Sequence, residues 1–187
     1  YPSISTSLMS SNGTKIEQAK ASVTLTDTIS YSQFNTLTGT VTIKGELHNA
    51  STGALIASNT TTASISSAGS GTWTNTFTFD ASSLAGVTVV AYEYISISGT
   101  DICEHAVQTD ANQQVRFPSI STRAADKSTN TGTSLAIAGN RIIVDTITYS
   151  NLIPNVTYTV TTNVRNASTG AAIAGAAAKT TSFTPAT

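Results

Sequence analysis

Few side chains in this chain of 187 residues can do chemistry at neutral pH: two histidines, His48 and His105, one cysteine, Cys103, and ten scattered carboxylates. Cys103 stands two residues before His105, so on a strand the two share a face and a Cys–His nucleophile pair is one reading. A free Cys more often behaves as a small apolar residue, and that reading is preferred. The histidines, cysteine and carboxylates show neither zinc-ligand spacing nor an EF-hand pattern, so no metal is expected. His48 ends an alternating run beside the Asn49–Gly53 turn and is expected at the surface. Taken singly, Asp27 reads as a turn or strand-end carboxylate and Glu93 as a solvated strand residue, although alternation puts Glu93 on the same face as Val89 and Ala91.

These groups need a scaffold, and the alternation supplies one. Val23, Leu25 and then Val41, Ile43, Leu47 recur at every second position, as do Trp73, Phe77, Phe79 and the run from Val87 to Glu93. That period sends one set of side chains to one face of a strand. Short strands separated by Gly, Asn and Ser turns predict an all-β, immunoglobulin-like antiparallel sandwich. Ala81–Gly86 is expected to form a short helical turn, and Lys15–Ala21 is the other helical candidate. Ser and Thr make up about a third of the residues, and 10% are charged for a net charge of −1. Neither a basic block nor an apolar run of about 20 residues is present, so no nucleic-acid partner and no membrane-spanning helix are expected. A single cysteine allows no internal disulfide framework.

The chain also repeats itself. Tyr1-Pro2-Ser3-Ile4-Ser5-Thr6 returns as Phe117-Pro118-Ser119-Ile120-Ser121-Thr122. Asp27-Thr28-Ile29-Ser30-Tyr31 returns as Asp145-Thr146-Ile147-Thr148-Tyr149, and Asn49-Ala50-Ser51-Thr52-Gly53 as Asn166-Ala167-Ser168-Thr169-Gly170. A period of this length signals tandem domains rather than a solenoid. Residues 1–116 read as one complete domain and 117–187 as the N-terminal portion of a second, cut short opposite the Ser66–Thr72 stretch. The second copy is expected to leave Ile142, Ile143, Val144 and Ile147 uncovered, so that a neighbouring chain holds it or it rearranges. The start of the chain has no basic or apolar leader, which places any secretion signal outside this stretch.

With these anchors the chain resembles the Thr-Gln ester-bond domains, or VaFE repeats, of Gram-positive surface adhesins, whose fold is a CnaB-like sandwich. The name-giving motif stands as Val90-Ala91-Tyr92-Glu93, the Asp-Thr-Ile-x-Tyr motif as Asp27 to Tyr31, and the closing motif as His105, Asp110 and Gln113. The resemblance implies an intramolecular ester between Thr6 and Gln113, with His105 as proton shuttle and Asp27 and Glu93 as an acid pair beside it. Gln113 is chosen over Gln114 and Gln108 by its step of eight residues from His105. Thr122 and Asp145 are the second-copy equivalents, without a later Glu, His or Gln to partner them.

The residue types suit that chemistry. A Thr hydroxyl needs a base before it attacks, and a Gln carboxamide needs its oxygen hydrogen-bonded or its nitrogen protonated before it accepts attack. Folding supplies effective molarity equivalent to ~7–11 kcal/mol of barrier. The reaction runs once per molecule, without a cofactor, so the chain is expected not to be an enzyme. The crosslink closes about 107 residues, worth up to ~4.7 kcal/mol by chain entropy. The resemblance implies a stalk module on the bacterial cell wall, its host ligand unspecified. Two rivals are a sandwich closed by a Lys–Asn isopeptide, with Lys15 or Lys20 as amine and Asn112 as amide, and a ligand-binding adhesin head. Trp73 is single and Tyr92 and Tyr94 alternate along one strand, so nothing marks a ligand site.

Overall fold

A computed structural model describes residues 1–132 and 140–186. It divides into two compact units, Tyr1–Asn151 and Leu152–Thr187.

In the first unit, alternating apolar residues build two antiparallel sheets. β1 (Ser3–Ser10), β2 (Val23–Ser32) and β5 (Gly71–Phe79) pair in the order β1-β2-β5. The facing sheet runs β4 (Leu55–Ala63), β3 (Val41–Asn49), β6 (Thr88–Ile97) and β7 (Thr100–His105), with β8 (Gln114–Arg116) pairing the other end of β6. A 3-10 turn, η1 (Ala111–Gln113), delivers the chain into β8. This is the immunoglobulin-like sandwich that the alternation predicts. Beyond it, β9 (Ser119–Asp126) and β10 (Ile143–Ser150) pair as a two-stranded ladder.

Inward-facing positions fall into two apolar clusters. One gathers Leu8, Leu25, Leu47, Phe77, Ala91, Val115 and Phe117. The other gathers Ile29, Tyr31, Phe34, Val41, Ile43, Trp73, Ile95 and Ile97. Trp73 stacks on Tyr31 with centroids 3.8 Å apart and donates its indole N–H to Ser64 O at 3.0 Å, so it is a core residue, not a surface platform. Each fully buried Leu, Ile, Val or Phe among them contributes about 1.5–3 kcal/mol.

Between the clusters, at one level, every strand that crosses breaks the apolar pattern. On β1 the inward residue next to Leu8 is Thr6; on β2, Asp27 lies between Leu25 and Ile29. On β5, Asn75 lies between Trp73 and Phe77; on β3, Gly45 lies between Ile43 and Leu47; on β6, Glu93 lies between Ala91 and Ile95. A polar belt thus crosses the middle of the core.

Neither helical expectation is met. Ala81–Gly86 makes successive turns, closed by Leu84 N–H to Ala81 O at 3.0 Å and Val87 N–H to Leu84 O at 2.9 Å. The Lys15–Ala21 segment is extended because its backbone pairs with the end of β8: Arg116 N–H donates to Lys15 O and Glu17 N–H to Arg116 O, both at 2.9 Å. His48 is half-buried rather than on the surface, stacked on Tyr92 with centroids 4.6 Å apart and with Nε2 2.9 Å from Glu46 Oε2.

The second unit holds β11 (Tyr158–Thr162) paired with β12 (Lys179–Phe183) and tied by hydroxyl pairs such as Thr161–Thr180 at 3.3 Å. It repeats one turn of the first unit closely. Asn49 Oδ1 accepts from the N–H of Ser51 and Thr52, and Asn166 Oδ1 from those of Ser168 and Thr169. Gly53 and Gly170 follow at φ 73° and 71°, a left-handed geometry that favours glycine.

Candidate functional site

The belt brings the sequence-predicted residues together. Thr6 points inward from β1 and is 7% exposed, while Asp27, Glu93 and Gln113 are fully buried. Gln113 ends η1, a turn capped by Asp110, whose carboxylate accepts the Asn112 N–H at 2.9 Å. That turn swings the Gln113 side chain into the sandwich, where its Nε2 donates to Thr6 Oγ1 and lies 3.3 Å from Asp27 Oδ2. Thr6 and Gln113 are 107 positions apart in sequence and in contact in space. Gln114 points the other way, its amide donating to Gln108 O at 3.0 Å.

Glu93 closes the other side of Asp27, and the two buried carboxyls share a hydrogen bond. Burial pushes Asp27 up to about 7, against the opposing pull of the Ser7 N–H, Lys15, the Thr6 hydroxyl and His105. Burial and then the neighbouring Asp27 charge push Glu93 up to about 8, opposed by Asn75. Two carboxyls this close in a dry site cannot both ionise readily, so the pair retains a proton near neutral pH, with Asp27 the more acidic member. Two buried oxygens, Asp27 Oδ1 and Gln113 Oε1, lack a hydrogen-bond partner of fixed position.

His105 stands opposite Glu93 in the β6–β7 register. Its Nε2 lies 2.9 Å from Asp110 Oδ2, so the carboxylate that orients the imidazole is Asp110 rather than a member of the buried pair. Both side chains retain partial exposure, 22% and 24%, which makes this the side of the site that meets solvent. Cys103 packs against the second apolar cluster, and burial pushes its thiol up, away from a reactive thiolate.

Three further residues shape the site. Asn75 faces Asp27 across β2–β5 and donates to both Glu93 oxygens, at 3.4 and 3.2 Å. Asn59 Nδ2 holds Asn75 in turn, donating to its Oδ1 at 2.8 Å. Gly45 faces Glu93 across β3–β6, and a Cβ there would meet Asn75 Nδ2, Phe77 Cζ at 2.6 Å and Glu93 Oε1 at 2.7 Å. The signal for Asn75 and Gly45 was present in the sequence: each interrupts an apolar alternation at an inward position.

The isopeptide partners do not meet as that chemistry requires. Lys15 Nζ reaches the main-chain carbonyl of Asn112, whose residue is otherwise exposed, and Lys20 Nζ pairs with Glu17 at 3.4 Å. Among the described residues no group of three or more His, Cys, Asp or Glu is placed to hold a metal, and no helix is long and apolar enough to cross a membrane. Of the second-copy residues, Thr122 is exposed, and Asp145 is half-buried with Oδ1 lacking a partner.

A family model described as the T-Q ester bond containing domain matches residues 2–117 and again 118–187. No curated protein sequence matches this chain. Among solved structures it is similar to a putative beta-galactosidase from Bacteroides fragilis, at 15% identity over 54% of this chain and 15% of that one, TM-score 0.42. It is also similar to a glycosyl hydrolase family 2 member from Bacteroides cellulosilyticus DSM 14838, at 8% identity over 67% of this chain and 16% of that one, TM-score 0.47. The chain spans less than a fifth of the length of either enzyme.

Proposed function

Because the chain belongs to the T-Q ester bond domain family, we propose that Thr6 and Gln113 form an intramolecular ester that locks the first sandwich as a load-bearing module of a bacterial surface adhesin. The observation that carries this reading is the contact of Thr6 Oγ1 with the Gln113 amide beside a buried carboxyl pair.

Ionised Asp27 takes the Thr6 hydroxyl proton, and Oγ1 attacks Gln113 Cδ. The Cδ–Nε2 bond then breaks as the nitrogen receives the same proton from Asp27, whose Oδ2 already lies 3.3 Å from it. The products are the ester and one ammonia. Glu93 stays protonated, held by Asn75, and donates to Asp27 so that only one negative charge occupies the site. His105, anchored on Asp110, exchanges protons between the pair and solvent. The group that reacts is consumed, so this is maturation rather than turnover, and the proposed setting is the extracellular cell-wall surface.

Intact mass tests it directly. The native chain is expected to be lighter than its sequence by one ammonia, to be opened by hydroxylamine with the gain of one hydroxylamine as a hydroxamate at residue 113, and to show neither property as Thr6→Ala. A native mass equal to that of the sequence, with free Gln113 in the folded protein, would refute the linkage.

A further inference from the structure

Lys15 lies in the connection between β1 and β2, and its ammonium sits at an unusual junction. It donates to Leu8 O at 2.6 Å and to Asn112 O, and lies 3.5 Å from Ser7 Oγ. Leu8 is two residues beyond Thr6 on β1, and Asn112 immediately precedes Gln113. The backbone of Lys15 is itself fixed along β8 through Arg116. One side chain therefore ties the strand that bears the hydroxyl to the turn that bears the amide.

The same ammonium acts on the carboxyls. The groups facing Asp27 are Thr6 and the Ser7 N–H from β1, Asn75 from β5, Gln113 from η1, Glu93 from β6, His105 from β7 and Lys15 from the connection. Lys15 brings the side-chain ammonium to this set; burial lowers its pKa, while Asp27 and Asp110 raise it. Its charge favours ionised Asp27, whereas Glu93 feels chiefly burial, Asp27 and Asn75.

We propose that Lys15 is a positioning residue for the linkage: its ammonium clamps the Thr6 strand against the Gln113 turn, and its charge makes Asp27, rather than Glu93, the carboxyl that serves as base. This rests on the Thr6–Gln113 ester being the reaction. A hydrogen-bonding clamp alone would affect rate at every pH equally. A clamp that also biases the pair sets where on the pH axis the rate falls away, because removing the cation makes Asp27 harder to ionise.

The test uses the full chain purified in urea, with Thr6 and Gln113 unlinked by mass, then refolded at a series of pH values while loss of ammonia is followed by intact mass. Native folding of each variant is read from the near-ultraviolet dichroism of Trp73 and its neighbours. Lys15→Met is expected to crosslink roughly 10- to 100-fold more slowly and to move the acid limb of the rate profile to higher pH. Lys15→Arg, which keeps the charge on a different shape, is expected to return the limb toward its original place. Should Lys15→Met not fold, Lys15→Gln, which keeps a donor for the carbonyls without the charge, isolates the second effect: its acid limb is expected to move to higher pH as well. A neutral variant with the parent rate and profile overturns the inference, as does a slowed variant whose acid limb has not moved. Failure of the parent chain itself to lose ammonia overturns the ester reading and this inference with it.

Discussion

Across β1–β2, Thr6 faces Ile29 and Leu8 faces Asp27; across β9–β10, Thr122 faces Ile147 and Ala124 faces Asp145. The likeness extends to the rim, where Ser3 and Ser32 meet at 2.9 Å and Ser119 and Ser150 at 2.7 Å. The surroundings differ completely. Thr6 and Asp27 are buried beneath β3 and β6, and Tyr31 is 5% exposed; Thr122 is exposed, and Tyr149 is 42% exposed. Ile120, Ile142, Ile143 and Val144 lie open as well. The same threonine and carboxylate in the same register therefore meet an amide and a second buried carboxyl only under an opposing sheet. That sheet supplies Glu93, excludes water and brings in the turn that carries Gln113. Desolvation is what turns an ordinary carboxylate into a base poised near neutral pH.

Substitutions can break this contrast, and the largest effect is expected at the nucleophile. Thr6→Ala leaves the first sandwich without its link, keeps the ammonia and lowers stability by up to ~4.7 kcal/mol. Thr122→Ala, its counterpart, leaves the mass unchanged and stability within ~0.5 kcal/mol. Mass spectrometry and thermal unfolding read both. Next comes the sheet's own contribution: Glu93→Gln is expected to slow crosslinking by roughly 10²–10⁴-fold, followed as ammonia loss on refolding, while Asp145→Asn has no effect on that rate.

The third test sharpens the contrast through pH. In Thr6→Ala the carboxyl pair is retained but no link forms. Both carboxyls hold protons more tightly in the folded chain than in the unfolded one, whose carboxyls ionise near pH ~4. The stability they contribute is full below that pH and is lost as pH rises through about 7 and about 8. The slope reaches ~1.4 kcal/mol per pH unit for each proton by which the states differ. Urea midpoints across pH measure it, and a Thr6→Ala/Glu93→Gln double variant is expected to flatten the curve. Smaller effects are expected from the supports. Asn75→Ala removes the donors of a buried carboxyl, and Gly45→Ala forces a methyl against Asn75 and Glu93. Each should cost ~1–3 kcal/mol and slow the link in the first domain, as read by urea unfolding and by mass.

Much of this was legible in the chain itself, for a definite reason. A strand has period two, so a polar residue that falls in the inward register announces itself, as Asp27 does between Leu25 and Ile29 and Glu93 between Ala91 and Ile95. Asn75 and Gly45 carry the same mark, but an amide or a glycine in a strand is easily taken for composition rather than design. Lys15 was harder to read. Its role depends on a connection lying along β8, and a run from Lys15 to Ala21 with good helix formers hides a segment held extended by long-range pairing. The orienting role of Asp110 follows from a turn of three residues, below the scale at which periodicity says anything.

The placement of the contact near both ends of the first domain carries one more consequence. Thr6 and Gln113 lie just inside Tyr1 and Phe117, 107 positions apart. A chain of that span, fully drawn out, would reach about 350–390 Å. In the proposed linked form all of it is hidden length: a closed loop that hangs from the line of tension and cannot lengthen it. Under a steady pull the linked domain behaves as a strut of fixed size, while its unlinked form is a reel.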